Sequence, residues 1–410
     1  PRLADLAGAR AAAEGRAPED IEKARSQFDQ GNLAVVVVEI QKESDKIPAL
    51  DPTTIEDLYL GCGLPGGESG NNMARIVTTL MGLEVPGATT TRYCASSVQT
   101  TRMAFHAIKA GEGDIFVSAG VETVSRFAKG TSDHWPDTKN PVFAEAQERT
   151  NKTAELGNAA GAWHDPREDG LVPDVYIAMG QTAENVATLR GLDRKELDEY
   201  AVRSQNLTEK AIADGFWALN DGAAAVVMMS DTKAAELGLT PLARVVSTGV
   251  SGLSPEIMGL GPVEATKKAL ANAGMSIGDI DLVEINEAFA AQVVPSYQDL
   301  GIDIDRLNVN GGAIAVGHPF GMTGARLQNT MLNSLDWHDK TTGLITMCVG
   351  GGQGMALILR KVRGCPRPTS PPRPAGSART SSTPGAPSSS ARRCSSTGST
   401  PTCAGRSTSP

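Results

Sequence analysis

The stretch Asn310–Arg326, NGGAIAVGHPFGMTGAR, is the segment from which the fold of this chain is inferred. It places His318 between a glycine and a proline, where a helix is expected to begin. A glycine-flanked turn lets backbone and ligand approach closely, which a purely structural histidine does not require. A histidine that only satisfies the core is the competing interpretation, and the stretch alone does not separate the two.

A related arrangement occurs 224 positions earlier in the chain. At this constant offset three pairs of residues match, namely Asp57 with Asp281, Cys94 with His318, and Arg102 with Arg326. The repeat predicts a duplicated α/β unit in which Cys94 and His318 hold equivalent places, each at the start of a helix after a strand. In open α/β sheets that place faces the ligand crevice. Two crevices meeting across a pseudo-twofold axis would bring the thiol and the imidazole together.

The remaining elements follow from hydrophobic periodicity. Strands are predicted at 55–61, 115–119, 221–230, 281–285, 344–348 and 355–359, with 33–40 either a strand or a helix. Helices are predicted at 71–81, 94–109, 181–190, 194–215, 262–274 and 288–301. Residues 127–170 are polar and show little periodicity, which predicts an excursion laid over the core.

Bulk composition excludes several classes of protein. The 410 residues are 40% apolar, enough for a large core, and neither a membrane span nor a signal peptide is recognisable, so the expected location is the cytoplasm. The six cysteines lack the spacing of a disulfide scaffold or a zinc site. Residues 361–410 hold eight Lys/Arg and no acidic residue, so −9 minus +8 leaves −17 for the rest. That charge argues against a nucleic-acid partner.

Four short motifs carry candidate chemistry. Cys94 at a helix start would feel the positive end of the helix dipole, which predicts a lowered thiol pKa, although an inert buried cysteine is the alternative. Cys348 opens CVGGGQG, which is either a turn at a strand end or, more weakly, a phosphate loop. Asn286 opens Asn-Glu-Ala-Phe, where it either caps a helix or fixes a water beside a cleft.

Together with the Gly-His-Pro stretch that ends at Pro319, these motifs resemble the thiolase family, in particular the acetyl-CoA acetyltransferases. The resemblance runs from about residue 48 to residue 360 with one break. It implies an α/β fold of duplicated βαβαβαββ halves in five layers, α-β-α-β-α, with an inserted loop domain. The implied limits are a leader at 1–31, an N-terminal half at 32–126 and 218–246, a loop domain at 127–217, a C-terminal half at 247–360, and a disordered tail at 361–410.

The resemblance also implies roles for individual residues. Cys94 would be the nucleophile that carries the acyl group, and Cys348 the general base or acid at the α-carbon of the second thioester. His318 and a water held by Asn286 would face the enolate oxygen, and the backbone N–H groups of Cys94 and Gly350 would face the tetrahedral intermediate. The pantetheine and acyl pocket would be lined by three further residues, Met179, Met258 and Phe289. Coenzyme A would be a substrate, with no permanently bound cofactor or metal, in a homodimer or homotetramer.

The sequence departs from the family pattern at four places. The first strand with its Arg-Thr/Ser-Pro turn is not recognisable before Leu33, and Cys94 is followed by Ala-Ser-Ser instead of the commoner Gly-Ser-Gly. Ala178 stands before Met179 where many members have a histidine, and Phe216-Trp217 runs directly into Ala218, where the family has a longer segment that touches coenzyme A. The implied function is thiolytic cleavage of 3-ketoacyl-CoA, or condensation of two acetyl-CoA, through a Cys94 acyl-enzyme. A non-catalytic or defective thiolase-like CoA-binding protein is the alternative, and a decarboxylating ketoacyl-synthase relative is the second.

Overall fold

The computed structural model of the protein describes residues 47–124, 127, 138–214 and 222–362. Their strands are β1 (Asp57–Cys62), β2 (Gly87–Thr90), β3 (Ile115–Glu122), β4 (Gly222–Met229), β5 (Ala243–Gly252), β6 (Leu282–Ile285), β7 (Thr342–Val349) and β8 (Gln353–Lys361). Their helices are α1 (Met73–Leu80), α2 (Ser96–Ala110), α3 (Ala144–Leu156), α4 (Met179–Arg190), α5 (Arg194–Ala213), α6 (Asp231–Glu236), α7 (Gly261–Ala273), α8 (Ala290–Leu300), α9 (Ala313–Val316) and α10 (Phe320–Trp337). The segment 33–40, the predicted leader, residues 363–410 of the predicted tail and the junction at Ala218 lie outside this described part.

The first sheet has the strand order β2-β1-β3-β4. β1 pairs in parallel with both β2 and β3, and β4 pairs antiparallel with β3 along its whole length. β1 and β3 are continuous apolar runs, as expected for strands that are covered on both faces, and β3 is buried throughout. Apolar side chains from these strands and from α1, including Leu60, Val117 and Val77, form the core of this half.

The second sheet has the order β5-β8-β7-β6. β6 is parallel to β7, whereas β8 runs antiparallel to both β7 and β5. A parallel bridge from Val283 of β6 to Leu307 extends this order by one position. From Leu307 to β8 the directions repeat those of the first sheet from β2 to β4, so β1 corresponds to β6 and β4 to β8. Both sheets are mixed, and their matching order is consistent with the duplicated α/β unit that the repeat predicts.

Helix α10 packs against strands of both sheets and against α2. The N-terminal parts of the two helices meet, because the backbone N–H of Ala325 donates to Ser97 Oγ at 2.8 Å. Gly324 permits this approach, since a Cβ there would lie 2.5 Å from the backbone nitrogen of Val98 in α2. Cys94 comes just before α2 and His318 just before α10. The packing therefore brings together the two regions that the repeat identifies as equivalent.

Residues 127–170 are more regular than the sequence predicts, because they contain helix α3. Only Ala146 and Thr150 of this helix are buried, so its sequence has almost no apolar face from which periodicity could be recognised. A polar signal is found in the 3-10 turn Pro141–Phe143 just before the helix, where Asn140 Oδ1 accepts from the backbone N–H of Val142, beside Pro141. Low periodicity therefore concealed a helix in this part, and the assignment of residues 127–170 to an excursion laid over the core stays a prediction.

Strand β5 is absent from the sequence-based prediction. Its residues, ARVVSTGVSG, interrupt the apolar pattern with serine and glycine. Gly249 is required there because a Cβ would lie 2.1 Å from the carbonyl oxygen of Ala265, in helix α7, which packs against the strand. The predicted boundary between residues 246 and 247 falls inside this strand, which belongs wholly to the second sheet. The other domain limits stay predictions.

Candidate active site

Cys94 lies in a short 3-10 turn, Tyr93–Ala95, between β2 and α2. Two hydrogen bonds close the turn: the N–H of Arg92 donates to Ser96 Oγ at 2.9 Å, and that hydroxyl donates to the Tyr93 carbonyl at 2.7 Å. Tyr93 has a φ of +41°, a left-handed conformation that a residue with a Cβ rarely adopts. This backbone turn places the Cys94 thiol in the core of the second half, beside Met347 and Val349 of β7.

Burial dominates the acidity of Cys94. It raises the pKa of the thiol to about 11, although the N–H groups of Gly350 and of Cys94 itself act in the opposite direction. The helix α2 begins only at Ser96, two residues beyond the thiol. The predicted lowering of this pKa is therefore wrong, because removal of water from the thiolate outweighs the nearby donors. At neutral pH the resting residue is a thiol.

Cys348 lies near the end of β7 and is fully buried. Burial raises the pKa of its thiol well above the ordinary value, and the charge of a Cys94 thiolate raises it further. The charge of Cys94 acts on the Cys348 thiol, and the Gly350 N–H donates toward the Cys94 sulfur. A thiolate at Cys94 therefore disfavours ionisation of Cys348.

His318 and Asn286 contact each other directly, with Asn286 Nδ2 3.3 Å from His318 Nε2. The other ring nitrogen, Nδ1, lies 2.7 Å from Thr323 Oγ1, and that hydroxyl donates its proton to the carbonyl of Pro319. A hydroxyl that donates there can only accept from the ring, so Nδ1 carries the hydrogen and Nε2 presents a lone pair. Burial lowers the pKa of His318 to about 3, and the Arg326 charge adds to the effect. The resting imidazole is neutral and is a proton acceptor at Nε2.

Asn286 is 1% exposed, and its Oδ1 has no hydrogen-bond partner within the described ranges. A buried amide oxygen without a donor is costly, so the position calls for an O–H or N–H group from a water or a ligand. Asn286 directly follows β6 and precedes α8, but no side-chain capping bond links it to that helix. The contacts do not support the capping interpretation, and the role of Asn286 in fixing a water stays a prediction.

Glu287, which the sequence analysis left without a role, holds the His318 loop in place. Its carboxylate accepts from four donors, Tyr200 OH, Ser204 Oγ, Asn308 Nδ2 and the N–H of Ile314, at 2.6–3.1 Å. Gly312 is also fitted to it, since a Cβ there would lie 2.4 Å from its Cδ. The signal that could have identified it is a carboxylate within a buried apolar run, which requires partners.

Glu122, at the end of β3, is a second buried carboxylate to which the sequence analysis gave no role. Its buried carboxylate accepts from the N–H of Gly63 at 2.6 Å and from that of Gly321 at 2.8 Å. Gly321 is in the first turn of α10, so the negative charge stands at the positive end of that helix. Glu122 thus fixes the start of α10, just after His318, to the first sheet.

The three predicted pocket residues lie on elements that pack against one another. Met179 is the first residue of α4, Met258 is in the 3-10 segment Pro255–Leu260, and Phe289 directly precedes α8. These three elements contact each other pairwise. Met258 is 1% exposed, whereas Met179 and Phe289 are partly exposed. The contacts of the described residues link Cys94 to Gly350 and Asn286 to His318, and they pack the elements that carry Met179, Met258 and Phe289 against one another.

No group of three or more His, Cys, Asp or Glu side chains among the described residues is arranged to hold a metal ion. No helix in the described part of the chain is both long and apolar enough to cross a membrane.

A buried carboxyl near the site, that of Glu284, should make the free energy of unfolding depend on pH. Glu284 of β6 is 1% exposed, and burial raises its pKa to about 8 against the opposing effect of the Arg326 charge. Since its folded pKa lies above the unfolded value, stability is lost as the pH rises toward and through about 8. We expect wild type to lose up to about 4 kcal/mol of unfolding free energy relative to Glu284→Gln between about pH 5 and about pH 9. Urea unfolding across this range measures it.

The control for this prediction is Glu264→Gln, because Glu264 is an exposed residue of α7 paired only with Lys267. Its unfolding free energy should follow that of wild type at every pH. Parallel pH profiles for wild type and Glu284→Gln would contradict the assignment of a protonated Glu284 at neutral pH.

Two family models match the chain. One is the thiolase N-terminal domain over residues 33–219, and the other is the thiolase C-terminal domain over residues 239–361. The chain belongs to the thiolase family. As a thiolase it is an acyl-CoA C-acyltransferase, and the resemblance inferred from its four motifs is confirmed.

Curated relatives agree with this assignment. The 3-ketoacyl-CoA thiolase of Marinomonas sp. (strain MWYL1) is 37% identical, with 80% of this thiolase and 91% of the relative covered. The 3-oxoadipyl-CoA/3-oxo-5,6-dehydrosuberyl-CoA thiolase of Escherichia coli (strain K12) is 36% identical, with 77% and 90% covered.

Solved structures show the same fold. The crystal structure of the Bacillus anthracis acetyl-CoA acetyltransferase aligns with a TM-score of 0.66 at 28% identity, covering 82% of this thiolase and 94% of that chain. Human mitochondrial 3-ketoacyl-CoA thiolase aligns with the same TM-score and coverage at 27% identity. The α/β fold with its two mixed sheets is therefore that of a thiolase.

Proposed function

We propose that this thiolase cleaves 3-ketoacyl-CoA with coenzyme A, and in reverse condenses two acetyl-CoA molecules, through an acyl group carried on Cys94. The observation that supports the proposal best is a buried neutral thiol, Cys94, to which the Gly350 N–H donates and whose charge acts on a second buried thiol, Cys348. His318 Nε2 carries a lone pair that Asn286 Nδ2 approaches at 3.3 Å, and Asn286 Oδ1 has no partner among the described residues. These are a nucleophile, an oxyanion donor, a second acid and a base.

In the first half of the reaction, the Cys94 sulfur attacks the 3-keto carbon while its proton passes to His318 Nε2. The N–H groups of Cys94 and Gly350 hold the resulting oxyanion. The bond between the second and third carbons then breaks, and its electron pair becomes the enolate of acetyl-CoA. The enolate oxygen lies against the newly formed Nε2–H of His318 and a water on Asn286, and the Cys348 thiol protonates the carbon.

In the second half, the Cys348 thiolate takes the proton of the incoming coenzyme A thiol. The coenzyme A sulfur attacks the acyl-Cys94, and Cys94 leaves as a thiolate that regains its proton from His318. Every proton that was moved is thereby returned. His318 acts as acceptor before it acts as donor, whereas the sequence-based hypothesis gave it only the second role. A resting pKa near 3 suits this order, because the ring starts neutral.

The proposal has several further parts. Coenzyme A is a substrate, no cofactor is permanently bound, and Met179, Met258 and Phe289 line the pantetheine and acyl pocket. The enzyme works as a homodimer or homotetramer in the cytoplasm, without nucleic-acid or membrane partners. The duplicated halves form five layers with the loop domain at residues 127–217. The resemblance between this chain and the family supports each of these.

The test is thiolysis of acetoacetyl-CoA by wild type and by Cys348→Ser, followed by the loss of enolate absorbance. The serine hydroxyl cannot serve as the α-carbon acid or base, so we expect turnover and condensation to fall about 10³-fold or more while acetyl-CoA still acylates Cys94. Intact mass reports the acylation.

Each result has a clear consequence. An inactive wild type without an acyl label supports the non-catalytic or CoA-binding alternative and refutes the proposed reaction. An active wild type with full turnover in Cys348→Ser removes Cys348 from the mechanism.

A further inference from the structure

We propose that Glu256 is a positioning residue that fixes residues 144–178 over the acyl pocket, an inference that rests on the proposed function. Glu256 is in the 3-10 segment Pro255–Leu260 of the C-terminal half and is 3% exposed. A carboxylate at such a depth is costly unless donors surround it. Its donors come from parts of the chain that lie about 70 to 110 residues earlier in sequence.

Three separate segments converge on the two carboxylate oxygens. Trp163 Nε1 donates to Oε2 at 2.8 Å, and the backbone N–H of Asp174 donates to Oε1 at 2.9 Å. Arg149 Nη2, from helix α3, lies 3.5 Å from Oε1 and forms an ion pair with it. One side chain thereby joins α3 and two following loops to the C-terminal half. Charge-assisted contacts of this kind are stronger than neutral ones.

Further hydrogen bonds join the residues around Glu256 to other parts of residues 144–178. Asp174 is 1% exposed and accepts from Thr150 Oγ1 at 2.6 Å, while Arg149 also donates to the carbonyl of Val172 at 2.7 Å. Helix α4 is attached as well, because Asn185 Nδ2 donates to the backbone carbonyl of Glu256 at 3.0 Å. Residues 144–178 and α4 are thus held by hydrogen bonds that converge on Glu256.

Glu256 is next to the predicted pocket. Met258 follows Glu256 by two residues, and Ile257 between them has a non-helical φ of −129° that turns the chain. Helix α4, which begins at Met179, packs against this 3-10 segment. A change in the position of Glu256 therefore moves both walls, the one with Met258 and the one with Met179. None of these contacts reaches Cys94, Cys348 or His318, so the chemistry should be preserved.

The test compares Glu256→Gln with wild type in thiolysis of acetoacetyl-CoA and of a longer 3-ketoacyl-CoA. Glutamine has a single acceptor oxygen, so one of the Trp163 and Asp174 N–H groups must face its NH₂ group, and the pairing with Arg149 is lost. We expect KM to rise at least about tenfold, the factor for one charge-assisted hydrogen bond, while kcat changes less than about threefold. Trp163→Phe, which removes only one donor, should raise KM by a smaller factor.

The matched control is Arg190→Met. Arg190 forms an ion pair with Asp299 and also links α4 to the C-terminal half, but at the surface and away from Glu256. Its KM should stay within about twofold of wild type. Hydrogen exchange of residues 144–178 gives a second readout that needs no activity: exchange should quicken in Glu256→Gln and not in Arg190→Met.

The outcomes separate the two proposals. An inactive wild type refutes the proposed function and leaves hydrogen exchange to judge Glu256. Given an active wild type, an unchanged KM and unchanged exchange in both Glu256→Gln and Trp163→Phe would overturn the positioning role. Equal losses of kcat and kcat/KM would also overturn it, since they would indicate a general effect on the chemistry.

Discussion

The substitution Cys94→Ser should lower the rate of thiolysis by about 10⁴-fold or more. A hydroxyl is a far weaker acid than the thiol, and the base proposed to take its proton, His318, has a pKa lowered to about 3 by burial. Such a base can accept the thiol proton only as the bond to the carbonyl forms, and it is too weak to activate a hydroxyl. Initial rates with acetoacetyl-CoA and coenzyme A measure the effect, and intact mass should show no acyl group on the variant.

Cys62→Ser is the control for this substitution. Cys62 is as buried as Cys348 and its sulfur lies 3.7 Å from Glu122 Oε1, a contact that a serine hydroxyl can replace. Its rate should stay within about threefold of wild type, as expected for a buried change outside the reacting atoms. A Cys94→Ser variant with more than about 1% of wild-type activity would show that another group carries the acyl chain.

The second large effect concerns stability. Glu287→Ala should lower the free energy of unfolding by on the order of 4 kcal/mol, because it leaves four buried donors without an acceptor. The released N–H of Ile314 and the space beside Gly312 loosen the loop that leads to His318, so activity should fall together with stability. Urea unfolding at neutral pH measures the change, with equal m-values as the check that both states are comparable.

Glu199→Ala provides the comparison. Glu199 lies on the exposed face of α5, where it pairs only with Lys195, and its loss should cost about 0.5 kcal/mol or less. If Glu287→Ala were destabilised by no more than this control, its hydrogen bonds would not hold the loop.

The sequence predicts the placement of elements well where apolar periodicity is strong. β1, β3, α4, α5 and α7 lie within a few residues of their predicted positions, and the equivalence of Cys94 and His318 follows from a repeat that two helix starts preserve. α3 and β5 were missed for a common reason. Each has a weak apolar pattern of its own, and its structure depends on tertiary contacts such as the approach of Ala265 to Gly249.

The protonation states of the site residues were harder to predict than the identities of those residues. A helix start suggested a lowered pKa for Cys94, but the balance between nearby donors and desolvation depends on depth of burial, which a single sequence does not specify. The roles of three buried carboxylates were not predicted for a related reason, namely those of Glu287, Glu122 and Glu256. Their roles consist of hydrogen bonds to residues about 20 to 200 positions away, and no local spacing indicates such partners.

The hydroxyl of Thr323 links the tautomer of His318 to the start of helix α10. It donates to the carbonyl of Pro319, so the hydroxyl that orients the His318 ring also closes the first turn of α10. Without this turn, the hydroxyl would be free to donate to the ring, and the proton of His318 would no longer be restricted to Nδ1. The tautomer that leaves Nε2 free to accept a proton therefore depends on formation of the helix start.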